Sequence, residues 1–369
     1  MIVTPVTVRV PAKVNLQLAV GPLRADGYHE LVTVFHAVSL FDEVTVRPAG
    51  RTSVRVSGAD AAAVPAGRAN LAVRAAAALA RVARPRGASS AVAIEIRKRI
   101  PVAAGLAGGS ADAAAALVAC NELWRAGLSA AELSVVAAGV GSDVAFALLG
   151  GTAVGRGRGE QLTAALAAGT YHWVLAFSSG GLSTPEVYAA CDRLRAARAA
   201  RAAGLAAGPG RVQGAGPGAA LAASPVARAG DGLGVRPAAG AGDRLGVRPV
   251  ASAAGGAADA PPPRLSTELM AALRSADPAA VGPLLTNDLQ PAALSLRPAL
   301  RRTLSAGREL GAIGAMVSGS GPTCAFLAAD ARHARDLAVS LTGAGVCRGV
   351  AGVHGPVHGA AVIASAEHG

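Results

Sequence analysis

Two α+β domains are predicted for this chain, and three observations predict them. Its 369 residues are 52% apolar, enough to fill two cores of ordinary size. Residues 6–56 carry stretches of strict alternation, the pattern of half-buried strands. Beyond Leu265, helical patterns and a strand resume after a long break in composition.

Taken in order, Val6–Val10, Glu43–Arg47 and Ser53–Val56 alternate and predict a mixed, largely antiparallel sheet. Asn70 predicts the cap of a helix through Ala83, and Ala91–Ile96 a strand that stops before Pro101. A glycine-rich loop then enters an alanine-rich helix over Ser110–Trp124, and another helix is predicted over Ala130–Ala138. Gly141-Ser142-Asp143 follows, and Gly150-Gly151 introduces a strand. After Leu265 the pattern gives helices over Thr267–Ser275 and Ala293–Leu310, a glycine turn at Ser318–Pro322, a strand over Thr323–Ala328 and a helix over Ala331–Leu341. We place the domains at 1–165 and 166–369.

Residues 193–264 are almost entirely Ala, Gly, Pro and Arg, with few large apolar groups to anchor a core, and much of this insertion is expected to be disordered. Within it Asp231-Gly-Leu-Gly-Val-Arg-Pro recurs as Asp243-Arg-Leu-Gly-Val-Arg-Pro; two copies are too few for a stacked repeat. The insertion holds ten Arg and three Asp, so +7 of the chain's +12 belongs to it. Nucleic acid is therefore a poor candidate partner, because the charge is sparse and has no interleaved aromatics. Cys120, Cys191, Cys324 and Cys347 lack the paired spacing of a zinc site or disulfide framework. Asp112 interrupts the most alanine-rich stretch and Arg74 and Arg81 the one before it, the first residues show no leader pattern, and a cytoplasmic protein without a membrane span, monomer or homodimer, is expected.

Chemistry concentrates in Pro101-Val102-Ala103-Ala104-Gly105-Leu106-Ala107-Gly108-Gly109-Ser110-Ala111, which runs directly into a helix. Small residues let backbone amides approach phosphate oxygens, and the helix start favours their charge. Ser110 would cap that helix or reach a metal-bound phosphate. No lysine follows a glycine, so this is not a Walker loop, and no Gly-x-Gly-x-x-Gly occurs. Only two of the 35 basic residues are lysines, Lys13 and Lys98, in a chain where arginine is the easy choice. A retained lysine therefore carries information.

The loop resembles the ATP-binding Pro-x-x-x-Gly-Leu-Gly/Ala-Gly/Ser-Ser segment of the GHMP kinases, named for galactokinase, homoserine kinase, mevalonate kinase and phosphomevalonate kinase. Pro11-Ala-Lys13-Val-Asn15-Leu before it and Val317-Ser-Gly319-Ser-Gly321-Pro-Thr323 after it match two further family motifs in the expected order. The resemblance implies a mixed α/β ATP-binding domain, a C-terminal ferredoxin-like α+β domain, and ATP with Mg2+ as cofactors. No carboxylate in the motifs is a clear metal ligand.

Gly27-Tyr28-His29-Glu30-Leu31 and Ser183-Thr184-Pro185-Glu186-Val187-Tyr188 resemble the branch of these kinases that acts on cytidine-diphosphate methylerythritol in non-mevalonate isoprenoid synthesis. The resemblance implies that Tyr28 and Tyr188 sandwich the cytosine, that His29 hydrogen-bonds it, and that Thr184 and Asn15 contact the substrate. It also implies Asp143 as the carboxylate that takes the proton of the acceptor hydroxyl and Lys13 as its charged neighbour. Taken alone, an Asp after Gly-Ser reads as a helix cap, and a Tyr-His pair in a hairpin reads as packing. A ligand sensor on the same fold is the competing reading, and retention of both Lys13 and Asp143 opposes it.

Overall fold

The computed structural model describes residues 4–58, 60–83, 90–206 and 262–363. Its strands are β1 (Val6–Leu23), β2 (His29–Pro48), β3 (Ser53–Gly58), β4 (Val92–Lys98), β5 (Thr152–Gly157), β6 (Gln161–Ala164), β7 (Tyr171–Phe177), β8 (Thr286–Asn287), β9 (Gly314–Val317), β10 (Cys324–Ala328), β11 (Gly349–Gly355) and β12 (Ala361–Val362). The helices are α1 (Leu71–Ala83), α2 (Gly108–Leu123), α3 (Ala130–Val140), α4 (Val144–Leu149), α5 (Thr184–Ala206), α6 (Thr267–Ala272), α7 (Pro278–Val281), α8 (Gln290–Leu296), α9 (Ala299–Glu309) and α10 (Ala331–Gly343).

The short alternating stretches at the start belong to a much longer hairpin. β1 and β2 run for 18 and 20 residues and pair antiparallel along nearly their whole length. Register shifts at Pro11/Ala12 and Asn15/Gln17 break the alternation, so the pattern hides how far the strands continue. These two strands are the spine of an eight-stranded sheet, ordered β12-β1-β2-β4-β3, with β5 also on β2, β6 on β5 and β8 on β1. Only β3–β4 and β1–β8 are parallel. As predicted, Asn70 starts α1, its Oδ1 accepting the Ala72 amide at 2.9 Å.

β7, β9, β10 and β11 form a second, wholly antiparallel sheet in the order β11-β7-β10-β9. With α9 before β9 and α10 between β10 and β11, this is the split βαββαβ arrangement of a ferredoxin-like unit. One apolar core joins the two sheets: Tyr171, Trp173 and Leu175 of β7 pack with the side chains of β1, β2 and α2. The helix predicted over Ala293–Leu310 is two helices, α8 and α9, broken at Pro298, whose ring removes the amide a continuous helix would need.

The insertion is narrower than its composition suggests. α5 continues through Arg193 to Ala206, since Ala and Arg both favour helix. Arg195 donates to the carbonyls of Val20 at 2.6 Å and Gly21 at 3.2 Å, and Gln17 donates to the Arg264 carbonyl at 2.8 Å. Both flanks are thus part of the fold. The expectation of disorder for the remainder falls on residues 207–261, outside the described residues.

Candidate active site

The loop from Pro101 to Ala111 leaves β4 and feeds α2, anchored by the buried side chains of Ala104 and Leu106. Ala103, Gly105 and Ala107 all have positive φ, at 50, 76 and 60°. For the two alanines this conformation carries a steric cost, so the surrounding structure must impose it. Alternating left-handed residues turn successive amides toward one side and make a concave, anion-seeking surface. The helix begins two residues earlier than predicted: Ala107, not Ser110, is its N-cap, and no side chain satisfies the first amides of α2. Gly109 is exposed and Ser110 half-exposed, so this uncapped end faces outward.

Gly105 is where the loop meets the second sheet. A Cβ there would fall 2.1 Å from the Ser318 carbonyl oxygen and 2.8 Å from the Gly321 nitrogen, so the close approach requires glycine. Its carbonyl accepts from Lys13 Nζ at 3.0 Å and from Ser318 Oγ at 3.2 Å. The three separated motifs therefore converge on one peptide unit. A Cβ on Gly319 would lie 3.0 Å from Lys13 Nζ and 3.3 Å from Asn15 Oδ1, which places the C-terminal glycine turn against both.

Lys13, on β1, is buried and donates to Asn15 Oδ1 at 2.6 Å. Asn15 in turn donates to Thr33 Oγ1 at 2.8 Å, which donates to the Gln17 carbonyl at 2.7 Å, so the amide is held from both ends. Burial lowers the Lys13 pKa, and Asp143 opposes that fall. The Asp143 Oδ2 atom lies 3.9 Å from Nζ. Asp143 occupies the N-cap position of α4, yet its side chain makes no capping bond. The carboxylate faces Lys13 instead.

On the far side, Thr184 opens α5 and its Oγ1 lies 3.0 Å from Ser320 Oγ in the glycine turn. His29 and Tyr188 stack at 4.9 Å with 28° between planes. Tyr28, 51% exposed at the hairpin tip, instead carries the Arg158 guanidinium 4.8 Å above its ring. Tyr188 thus packs on His29. Adjacent residues entering a strand face opposite ways, which sends His29 inward and leaves Tyr28 outside. Burial, then the charge of Asp143, raises the Tyr188 phenol pKa, so that hydroxyl stays protonated.

Some functional groups escaped sequence reasoning. Asp192 holds His29 Nε2 at 3.0 and 3.1 Å through its two oxygens. It lies one helical turn beyond Tyr188, a spacing that shares a face and was available as a signal. Ser320 stands inside a motif already singled out. Arg297 donates to the carbonyls of Ser179, Gly180 and Gly181 and so braces the loop ahead of Thr184; no sequence pattern marks it.

Residues 70–151 match the family model for the GHMP kinases N terminal domain, and 269–346 that for GHMP kinases C terminal. The 4-diphosphocytidyl-2-C-methyl-D-erythritol kinase of Mycolicibacterium gilvum is 50% identical over 360 residues, covering 97% of this chain and 92% of the relative. The chain belongs to this family of GHMP kinases. The kinase of the same name from Thermobifida fusca is 48% identical, over 98% of this chain and 99% of its own. A crystal structure of 4-(cytidine 5'-diphospho)-2C-methyl-D-erythritol kinase superposes with a TM-score of 0.63 at 30% identity, covering 94% of this chain and 98% of that one. Homoserine kinase from Cytophaga hutchinsonii has the same TM-score, 0.63, at 18% identity and shares the fold. No helix among the described residues is long and apolar enough to cross a membrane.

Proposed function

We propose that this kinase transfers the γ-phosphoryl group of ATP to the 2-hydroxyl of 4-diphosphocytidyl-2-C-methyl-D-erythritol, in the cytoplasm, as a step of non-mevalonate isoprenoid synthesis. The observation that carries the reading is Lys13. It bonds to the phosphate loop through the Gly105 carbonyl at 3.0 Å and lies 3.9 Å from the Asp143 carboxylate, which makes no capping bond. A hydroxyl beside Asp143 would therefore face a phosphate held by the loop.

In this account the loop amides of residues 103–110 hold the β- and γ-phosphates. Asp143 accepts the hydroxyl proton while the acceptor oxygen bonds to the γ-phosphorus and the bond to ADP breaks. Lys13 orients the carboxylate and offsets charge on the acceptor oxygen, and Asn15, fixed by Thr33, contacts the substrate polyol. Thr184, His29 and Tyr188 line the cytidine side, with Tyr28 as the outer platform. An aromatic face accepts any base, while fixed polar groups choose one.

No cluster of three or more His, Cys, Asp or Glu suited to a metal occurs among the described residues. Mg2+ fits such a site because it keeps water and phosphate oxygens and needs few protein ligands; Ser110 would supply a hydroxyl. When bound, the ion offsets phosphate charge.

A substrate panel tests the proposal: ADP release with the cytidylyl substrate, mevalonate, phosphomevalonate and homoserine. Turnover should depend on the cytidylyl compound, and preference for any of the others would replace the acceptor named here.

A further inference from the structure

Both lysines of the chain lie beside the phosphate loop, and the mechanism uses only one. Lys98, the last residue of β4, is 3% exposed, with Nζ 2.5 Å from Asp42 Oδ2 on β2 and 2.8 Å from Asp112 Oδ2 on α2. Asp42 is fully buried and Asp112 is 3% exposed. The Asp42 Oδ1 atom accepts the backbone amides of Arg99 at 2.6 Å and Ile100 at 2.9 Å, the two residues that lead into Pro101. Asp112 sits just past the loop, in the opening turns of the helix that it feeds. A Cβ on Gly108 would come within 3.1 Å of Lys98 Nζ, so the ammonium lies directly against the first residue of that helix.

Stability alone is a poor reason for this arrangement. Burying ions costs several kcal/mol each before pairing, and apolar replacements of similar volume are often as stable or more so. The neighbours of Asp112 on α2 are buried alanines, among which an alanine would fit at no such cost. The Asp112 Oδ1 atom is buried with no hydrogen-bond partner, and burial pushes the carboxyl pKa up to about 8 against the pull of Lys98. What the charges do provide is geometry: one ammonium ties the entry of the loop, through Asp42, to its exit, through Asp112.

We propose that Lys98, Asp42 and Asp112 are positioning residues for ATP, a buried clamp that fixes the two ends of the loop over residues 101–111 so that its amides keep the spacing a triphosphate needs. The clamp touches neither the acceptor nor the nucleotide, and acts through the loop backbone. This inference rests on the reading of that loop as the ATP site.

The test uses the full chain with ATP and the cytidylyl acceptor varied in turn. Asp112→Ala removes the helix-side grip with the best helix former, leaving the Lys98–Asp42 pair intact, whereas Asp112→Asn keeps an oxygen for Nζ. We expect Asp112→Ala to raise the KM for ATP about ten-fold or more, since small misplacements of a binding frame are costly. The acceptor KM and Tm should change little, and Asp112→Asn should return the ATP KM to within about three-fold of wild type. A folded Asp112→Ala protein with unchanged ATP KM, or with both KM values raised equally, overturns the proposal. Should Asp112→Ala fail to fold, Asp112→Asn and Lys98→Arg decide: the arginine fork cannot occupy the ammonium's position. A rise in ATP KM confined to Lys98→Arg then supports the clamp, and no rise overturns it. Gly105→Ala is the control for the underlying reading. If it too leaves the ATP KM unchanged, the loop assignment fails; if it alone raises that KM, only the clamp fails.

Discussion

Between Pro101 and Ala111 the chain places no charged side chain in the site, whereas the proposed acceptor side is assembled from Lys13, Asp143, His29 and Asp192. In the proposed function the phosphate half works through backbone amides, with its charges hidden beneath the loop in the Lys98 cluster. In the same proposal the acceptor half works through side chains of β1, β2 and α5 and the N-cap of α4. The difference follows from what each half must do. A triphosphate arrives with its charge and needs only matched donors, while a hydroxyl needs a group that will take its proton. Substitutions should therefore injure the two halves in different ways.

The largest effect is expected at the junction. Lys13→Met removes the cation that meets both halves and should lower kcat by about 10²-fold, with smaller changes in either KM, read by steady-state kinetics. Equal loss through KM alone would make Lys13 a binding group. Gly105→Ala comes next. The added Cβ meets the Ser318 carbonyl at 2.1 Å and the residue must keep a φ of 76°, so the loop and the glycine turn must part. Backbone strain of about 1–3 kcal/mol should appear as an ATP KM raised about ten-fold or more, with a lower Tm. Tyr188→Ala belongs to the acceptor half and should raise the cytidylyl KM about ten-fold while sparing ATP, since one base stack contributes about 1–3 kcal/mol.

The smallest effect concerns the frame that carries both halves. His36, fully buried between the sheets, has its pKa lowered to about 4 by burial, against the opposing pull of the nearby Gly355 backbone. The unfolded chain takes up this proton near pH 6.5, so stability is full above that value and declines as pH falls toward 4. Between pH 7.5 and 5.5 the loss from this group is about 1 kcal/mol. Denaturant unfolding at the two pH values reads it, and His36→Gln should flatten the difference.

Much of this was legible in the sequence, for reasons that differ by region. The phosphate loop could be read because its work is done by smallness: glycines, alanines and a leading proline state the geometry directly. Its positive φ values at Ala103 and Ala107 could not, because alanine ordinarily avoids that region. The roles of Lys13 and Asp143 came from family resemblance; what brings them to 3.9 Å is the packing of α4, which Asp143 heads, against β1. Scarcity of lysine pointed to Lys98 as well as Lys13, but nothing local told that its partners were Asp42 and Asp112. Nothing local told that Tyr188 would stack on His29, a contact across two elements.

The central claim is that a carboxylate released from helix capping takes the acceptor proton. Asp143→Asn keeps the shape and removes the base, so the measurement is ADP release by wild type and by this variant, with ATP, Mg2+ and the cytidylyl substrate all saturating. The account predicts acceptor-dependent release in the wild type, reduced about 10²-fold or more in Asp143→Asn, with the ATP KM within about two-fold. An Asp143→Asn enzyme turning over at the wild-type rate would contradict it.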